Sequence, residues 1–157
     1  MVDTETLKIT TPSDLEIEMT RVFHAPRRLV FDAHIKPELL KRWLLGPDGW
    51  EMVVCTAATK VGERYRYEWR NAAGRQFGIG GVCQEFHAPD KLVALESMDG
   101  FPGEALVTTT FVEEGGKTTL TTRVRYPSKE VRDAAINSGM VGGVSASYDR
   151  LAKILAQ

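Results

Sequence analysis

From Leu15 the chain alternates, with Leu15, Ile17 and Met19 apolar and Glu16, Glu18 and Thr20 polar. A period of two belongs to a strand buried on one face, here running to about Phe23. Pro26 suits the first turn of a helix, where its missing N–H would have no partner in any case. Leu29, Val30 and Ala33 give that short helix an apolar face. It must end before Pro37, because the residue preceding a proline avoids the helical region. Pro37 opens a second short helix with Glu38 near its positive end and Leu39, Leu40 and Trp43 apolar. The cluster Gly46-Pro47-Asp48-Gly49 stops it.

Strand patterns separated by turn residues follow: about Trp50 to Cys55, Arg64 to Arg70, Gln76 to Phe86, Leu92 to Met98, Glu104 to Val112 and Thr118 to Tyr126. Asn71-Ala72-Ala73-Gly74, Ala88-Pro89-Asp90 and Glu114-Gly115-Gly116 are too short for parallel crossovers, so neighbours run antiparallel. In the segment Arg64 to Arg70, Tyr65, Tyr67 and Trp69 share one face, and Arg64, Arg66, Glu68 and Arg70 the other. The charged face belongs in water, so the aromatic face looks inward. Ser128 caps a predicted helix over Lys129 to Asn137 that ends at Ser138-Gly139. A longer helix, about Met140 to Ala156, carries Val141, Val144, Tyr148, Leu151 and Leu155 as one apolar stripe.

Residues 1–13 read as a flexible leader ending at Thr11-Pro12-Ser13, and residues 14–157 as a single domain without repeats. The predicted class is α+β: a curved antiparallel sheet of about seven strands, two short helices after its first strand, and a long C-terminal helix as the second layer. A helix about 10 Å wide cannot fill the concavity of so many strands. The remaining space must hold large side chains, water or a ligand.

Composition narrows the contents of that space. The 157 residues carry 20 Lys+Arg against 21 Asp+Glu, a net charge of −1, which speaks against a nucleic-acid partner. No apolar run approaches the ~20 residues of a membrane span, and nothing near the start resembles a secretory signal, so a cytoplasmic protein is expected. Cys55 and Cys83 are then reduced thiols. They and His24, His34 and His87 lack ligand spacing, so neither a metal nor a cofactor is expected. Six of the 13 aromatics, including all 3 Trp, fall between Trp43 and Phe77.

The series Ala25-Pro26-Arg27-x-x-Val30-Phe31-x-Ala33, Lys41-Arg42-Trp43 and Leu45-Gly46-Pro47-Asp48-Gly49-Trp50 resembles the SRPBCC superfamily. More narrowly, it is similar to the branch named after the activator of the ninety-kilodalton heat-shock-protein ATPase. The likeness continues through Val61-Gly62, Tyr65-Arg66-Tyr67, Gly81, Glu85, Ala105-Leu106-Val107-Thr108, Ser138-Gly139-Met140 and Ser147-Tyr148-Asp149-Arg150-Leu151. No single motif is specific, but the ordered series is. It implies the START-like helix-grip fold shared with lipid-transfer domains, a pollen allergen and aromatic polyketide cyclases. The sequence departs from the branch at Glu63, where a second glycine is common, and at Ala57 to Lys60, where acidic residues are.

The expected ligand-binding set is Trp43, Trp50, Tyr65, Tyr67, Trp69 and Phe77 on the wall, with Met140, Val144 and Tyr148 facing them from the covering helix. Tyr and Trp offer apolar area with a polar handle. The leading reading is binding of an apolar or aromatic small molecule or a lipid, for sequestration, transport or sensing. An enzyme of the cyclase or hydratase kind would need Glu85 or His87 to point inward. Glu96 joins that pair as a carboxyl whose direction strand parity leaves open, because a bulge at Gly80-Gly81 would switch it. His34 reads as a cap or surface residue. Gly142 and Gly143 mark either a frayed first turn or clearance at the cavity mouth. A chaperone-linked interaction module is the third reading, and a homodimer or protein partner stays open.

Overall fold

The computed structural model describes residues 6–156. The elements are β1 (Lys8–Thr10), β2 (Glu16–Phe23), α1 (Arg27–Ile35), α2 (Pro37–Trp43), β3 (Trp50–Thr56), β4 (Arg64–Asn71), β5 (Gln76–His87), β6 (Lys91–Met98), β7 (Ala105–Glu114), β8 (Lys117–Arg125), α3 (Lys129–Asn137) and α4 (Met140–Leu155). All strand pairs are antiparallel, in one 8-stranded sheet ordered β1-β2-β8-β7-β6-β5-β4-β3. After β2 the chain crosses to the far edge through α1 and α2. It then returns strand by strand until β8 lies beside β2. This is the helix-grip arrangement, an open curved sheet with the C-terminal helix α4 across it.

The sheet has one strand more than the expected seven. The extra one, β1, lies inside the segment read as a leader and pairs Lys8 with Thr20 through Thr10 with Glu18. The first five residues of that segment fall outside the described residues. Three residues with one apolar side chain carry too little alternation to register as a strand.

The main core joins Phe23 of β2, Val30 and Phe31 of α1, Leu40 and Trp43 of α2, Phe111 and Leu120 of β7 and β8, and Tyr148 and Leu151 of α4. A second cluster holds Ile17, Met19, Val124 and Ala135. The α1–α2 junction shows how sequence fixes this packing. In a continuous helix the Ala33 carbonyl would accept from residue 37, but Pro37 has no N–H to give. The indole Nε1–H of Trp43 donates to it instead, at 2.9 Å. One side chain therefore fills the core and satisfies the carbonyl that the proline leaves open.

The inward row of β2 contains one ionic residue. Arg21 is 5% exposed. Its guanidinium donates to Asp149 of α4 at 2.6 Å and lies 5.5 Å from the centre of the Phe23 ring. This pair ties the covering helix to the sheet. At the other end of α4, Gly139 takes φ +85°, a backbone that side chains resist, and turns the chain sharply out of α3. Arg132 of α3 is buried and donates to the carbonyls of Ser13 and Glu16.

Candidate functional site: a cavity between sheet and helices

Sheet and helices enclose a cavity of about 740 Å³. Its exposed rim comes from Pro47, from Arg75 to Phe77 at the β4–β5 turn, from Asp99 and Pro102 to Glu104 after β6, and from Ser138-Gly139. All the aromatic candidates border it: Trp43 from α2, Trp50 from β3, Tyr65, Tyr67 and Trp69 from β4, and Phe77 from β5. Met140, Val144 and Tyr148, four residues apart on α4, face them.

The β4 aromatics form a continuous surface. Ring centres of Tyr65 and Tyr67 are 5.4 Å apart, and those of Tyr67 and Trp69 6.2 Å. Trp69 stacks on its cross-strand partner Phe77 at 5.1 Å, and Phe77 meets Trp50 edge-on at 5.4 Å. The Trp69 indole donates to the Leu44 carbonyl at 2.7 Å, which locks its orientation. Trp43 and Tyr148 belong to the core as much as to the cavity. Their rings pack at 5.9 Å, and the Tyr148 hydroxyl is within 3.4 Å of Thr122. Gly143 lies against Gly46 and Pro47 and borders the cavity, whereas Gly142 faces open space.

Glu85 and His87 do not reach this space, so the acid–base alternative, which needed one of them to point inward, finds neither there. Their side chains are 45% and 60% exposed, and Glu85 pairs with His87 and Lys91 on the outside. The reason is a bulge. Cys83 opposes Ala94, and Glu85, not residue 84, opposes Val93. The extra residue turns Phe86 inward against Phe31 and Glu85 outward. Gly80 and Gly81 pair regularly, so the shift lies three residues beyond the expected place.

Besides the rim carboxyls Asp99 and Glu104, the half-buried Glu96 borders the cavity, on the same side of β6 as Leu92, Ala94 and Met98. Tyr65, Gly81 and Glu96 are directly opposed across β4, β5 and β6. The Tyr65 hydroxyl reaches over Gly81 and donates to Glu96 Oε1 at 2.7 Å. Only a glycine permits that reach. A Cβ at Gly81 would lie 2.6 Å from the Tyr65 hydroxyl and 2.5 Å from the Leu95 carbonyl. Gly81→Ala is therefore expected to cost about 2 kcal/mol or more in urea unfolding, within the range of overpacking. A cost below about 0.5 kcal/mol would contradict the close approach.

Burial pushes the Glu96 carboxyl up to about 7, with the Tyr65 hydrogen bond opposing. Burial drives His34 the other way, down to about 4. His34, expected at a surface, is turned inward between Trp43 at 4.9 Å and Phe111 at 5.1 Å. Its Nδ1–H donates to the Val30 carbonyl at 2.8 Å, so the neutral ring keeps Nε2 as an acceptor. Burial also raises Tyr65 and Tyr67 well above the ordinary tyrosine range.

These two groups act on stability with opposite signs. The Glu96 contribution is full below 4.5 and is lost as the pH rises through about 7, because the folded state holds the proton longer. The His34 contribution is full above 6.5 and is lost as the pH falls through about 4. Glu96→Gln removes the first and leaves the second. The unfolding free energy of the variant minus that of the parent is expected to rise between pH 4.5 and 8, by up to about 3 kcal/mol. A difference flat with pH would mean that Glu96 ionises freely in the folded protein.

Among the described residues, no group of three or more His, Cys, Asp or Glu side chains could hold a metal ion. Cys55 and Cys83 are free thiols, and burial raises both. No described helix is long and apolar enough to cross a membrane. Glu63 accepts from the Thr59 amide and hydroxyl and closes the turn before β4.

Residues 24–156 match the family model described as activator of Hsp90 ATPase homolog 1-like protein. Among solved structures, a protein from Rhodobacter sphaeroides is 31% identical, with a TM-score of 0.91 over 96% of this chain and 98% of that one. A protein from Staphylococcus epidermidis is 26% identical, with a TM-score of 0.80 over 96% and 94% of the two chains. The AHSA1-like protein from Aeromonas hydrophila, at 19% identity, has a TM-score of 0.69 over 85% and 91%, a likeness of fold alone. No curated protein matches the chain.

Proposed function

The chain belongs to the family of activator of Hsp90 ATPase homolog 1-like proteins, and from that premise we propose that it binds an apolar or aromatic small molecule or a lipid in the cavity beneath α4. The observation that carries the reading is the cavity itself, about 740 Å³ and walled by stacked aromatic rings. Pockets for drug-sized ligands span roughly 300–1,000 Å³ and are mostly apolar, with a few placed polar groups. Here the aromatic wall supplies area and stacking, and Glu96, Tyr65 and His34 supply the polar points.

The action follows from the shape. An apolar guest gains by leaving water, and the packed core holds the wall in place for it. The protein sequesters or presents its guest, and chemistry on the guest is not required.

The test is native mass spectrometry of the protein from gently lysed cells, joined to an NMR screen of apolar compounds. A co-purifying mass, or saturable shifts at Tyr67, Trp69 and Tyr148, is the expected result. A protein that carries nothing and gives no shift at those residues would overturn the proposal.

A further inference from the structure

One polar feature of the cavity is unlike the rest. Glu96 presents a half-buried carboxyl to a mostly apolar wall, whereas the other lining carboxyls, Asp99 and Glu104, stand at the exposed rim; among the described residues the Tyr65 hydroxyl on Oε1 is its hydrogen-bond partner. No ion pair engages it among the described residues, and its second oxygen is not sealed away. The cation on the cavity lining, Arg75, stands in the exposed turn at the mouth. Tyr65, whose hydroxyl holds Oε1, adjoins Tyr67 and then Trp69 along the cavity wall, rings of the kind that attract cations.

A buried carboxylate is costly unless it is paired, and the protein supplies no positive partner here. Resting on the ligand-binding reading above, we infer that the cavity selects apolar molecules bearing a protonated amine, whose ammonium group sits on Glu96 between Tyr65 and Tyr67. The ammonium donates to Glu96 Oε2 while Oε1 stays held by Tyr65, and the hydrocarbon lies along Trp69 and Phe77. Glu96 is then the positioning and selecting residue of the site. An anionic ligand of the same skeleton meets a like charge and is excluded.

The surroundings define what a pH titration reads. Tyr65 and Tyr67 of β4 and Tyr126 after β8 lie in the field of Glu96, and burial keeps all three protonated below pH 8. His34 stays neutral above pH 5. Asp99 at the end of β6 is already paired with Arg66. Glu96 is thus the facing group that changes charge between pH 5.5 and 8.

The experiment measures binding of 4-phenylbutylamine, 4-phenylbutanol and 4-phenylbutyrate to the full chain by NMR titration at pH 8 and pH 5.5. The amine is expected to bind about tenfold or more tightly than the alcohol at pH 8, the increment of a charge-assisted contact, and the carboxylate most weakly. That ratio is expected to collapse toward unity at pH 5.5 and, at pH 8, in Glu96→Gln. The pH comparison needs no variant, so it stands even if the variant folds poorly. Equal binding of amine and alcohol at pH 8, a preference for the carboxylate, or an amine preference that survives at pH 5.5 overturns this inference and leaves the cavity reading intact. Failure of all three probes to bind at millimolar concentration overturns the cavity reading, and the inference with it.

Discussion

Trp43→Ala is expected to lower the unfolding free energy by about 4 kcal/mol, a large part of the ~5–15 kcal/mol available to a domain. The indole is 2% exposed and packs against His34 and Tyr148. Its removal opens a hole at the meeting of α1, α2 and α4. It also strands the Ala33 carbonyl, because Pro37 offers no N–H in its place. Trp43→Phe separates the two contributions, since it keeps most of the ring and loses the donor. It is expected to cost about 2 kcal/mol, from the unsatisfied carbonyl and the smaller volume together. Urea unfolding curves measure both. A loss under about 1 kcal/mol for the alanine variant would mean that the helix junction is held by something else.

The second large effect concerns binding. Ala94→Trp combined with Val144→Trp is expected to weaken apolar ligands by more than ~100-fold, about 3 kcal/mol. The two positions border the cavity from the sheet and from α4. Val144 also packs on both core clusters, so some overpacking accompanies the filling and stability is expected to fall by about 1–3 kcal/mol. Affinity and thermal unfolding on the same sample decide the matter. A filled cavity that still binds with parental affinity would place the ligand elsewhere.

Much of the architecture is legible in the residue pattern because the physics there is local. The capping serine at 128 accepts from the Val131 amide through its Oγ, and the helix it starts runs to Asn137 as the pattern predicts. Pro26, Pro37 and the Gly46–Gly49 cluster bound the two short helices for steric reasons that need no tertiary context. The alternation in Arg64–Asn71 fixes which face the tyrosines occupy.

What the pattern hides depends on distant partners. The inward place of Arg21 needs Asp149, 128 residues away. The burial of Arg132 needs the carbonyls of Ser13 and Glu16. The bulge after Cys83 leaves no mark in composition, yet it sends Glu85 out and Phe86 in. His34 is polar in a short helix and so reads as a surface residue, until the Val30 carbonyl and two aromatic rings claim it. For Glu96 a signal existed. It shares the parity of Leu92, Ala94 and Met98 in β6, and a lone carboxyl in an apolar row is a candidate for a site.

The central claim, that this cavity takes a guest, is tested most directly by the indole N–H signals of Trp43, Trp50 and Trp69, all on its wall. With an apolar aromatic compound titrated into the folded protein, saturable shifts are predicted at Trp50 and Trp69 with one-to-one stoichiometry, and a smaller shift at the core-packed Trp43. The same titration of the doubly filled variant should leave all of them still. Indole signals in the parent that stay fixed while every apolar compound tried reaches its solubility limit would contradict the account.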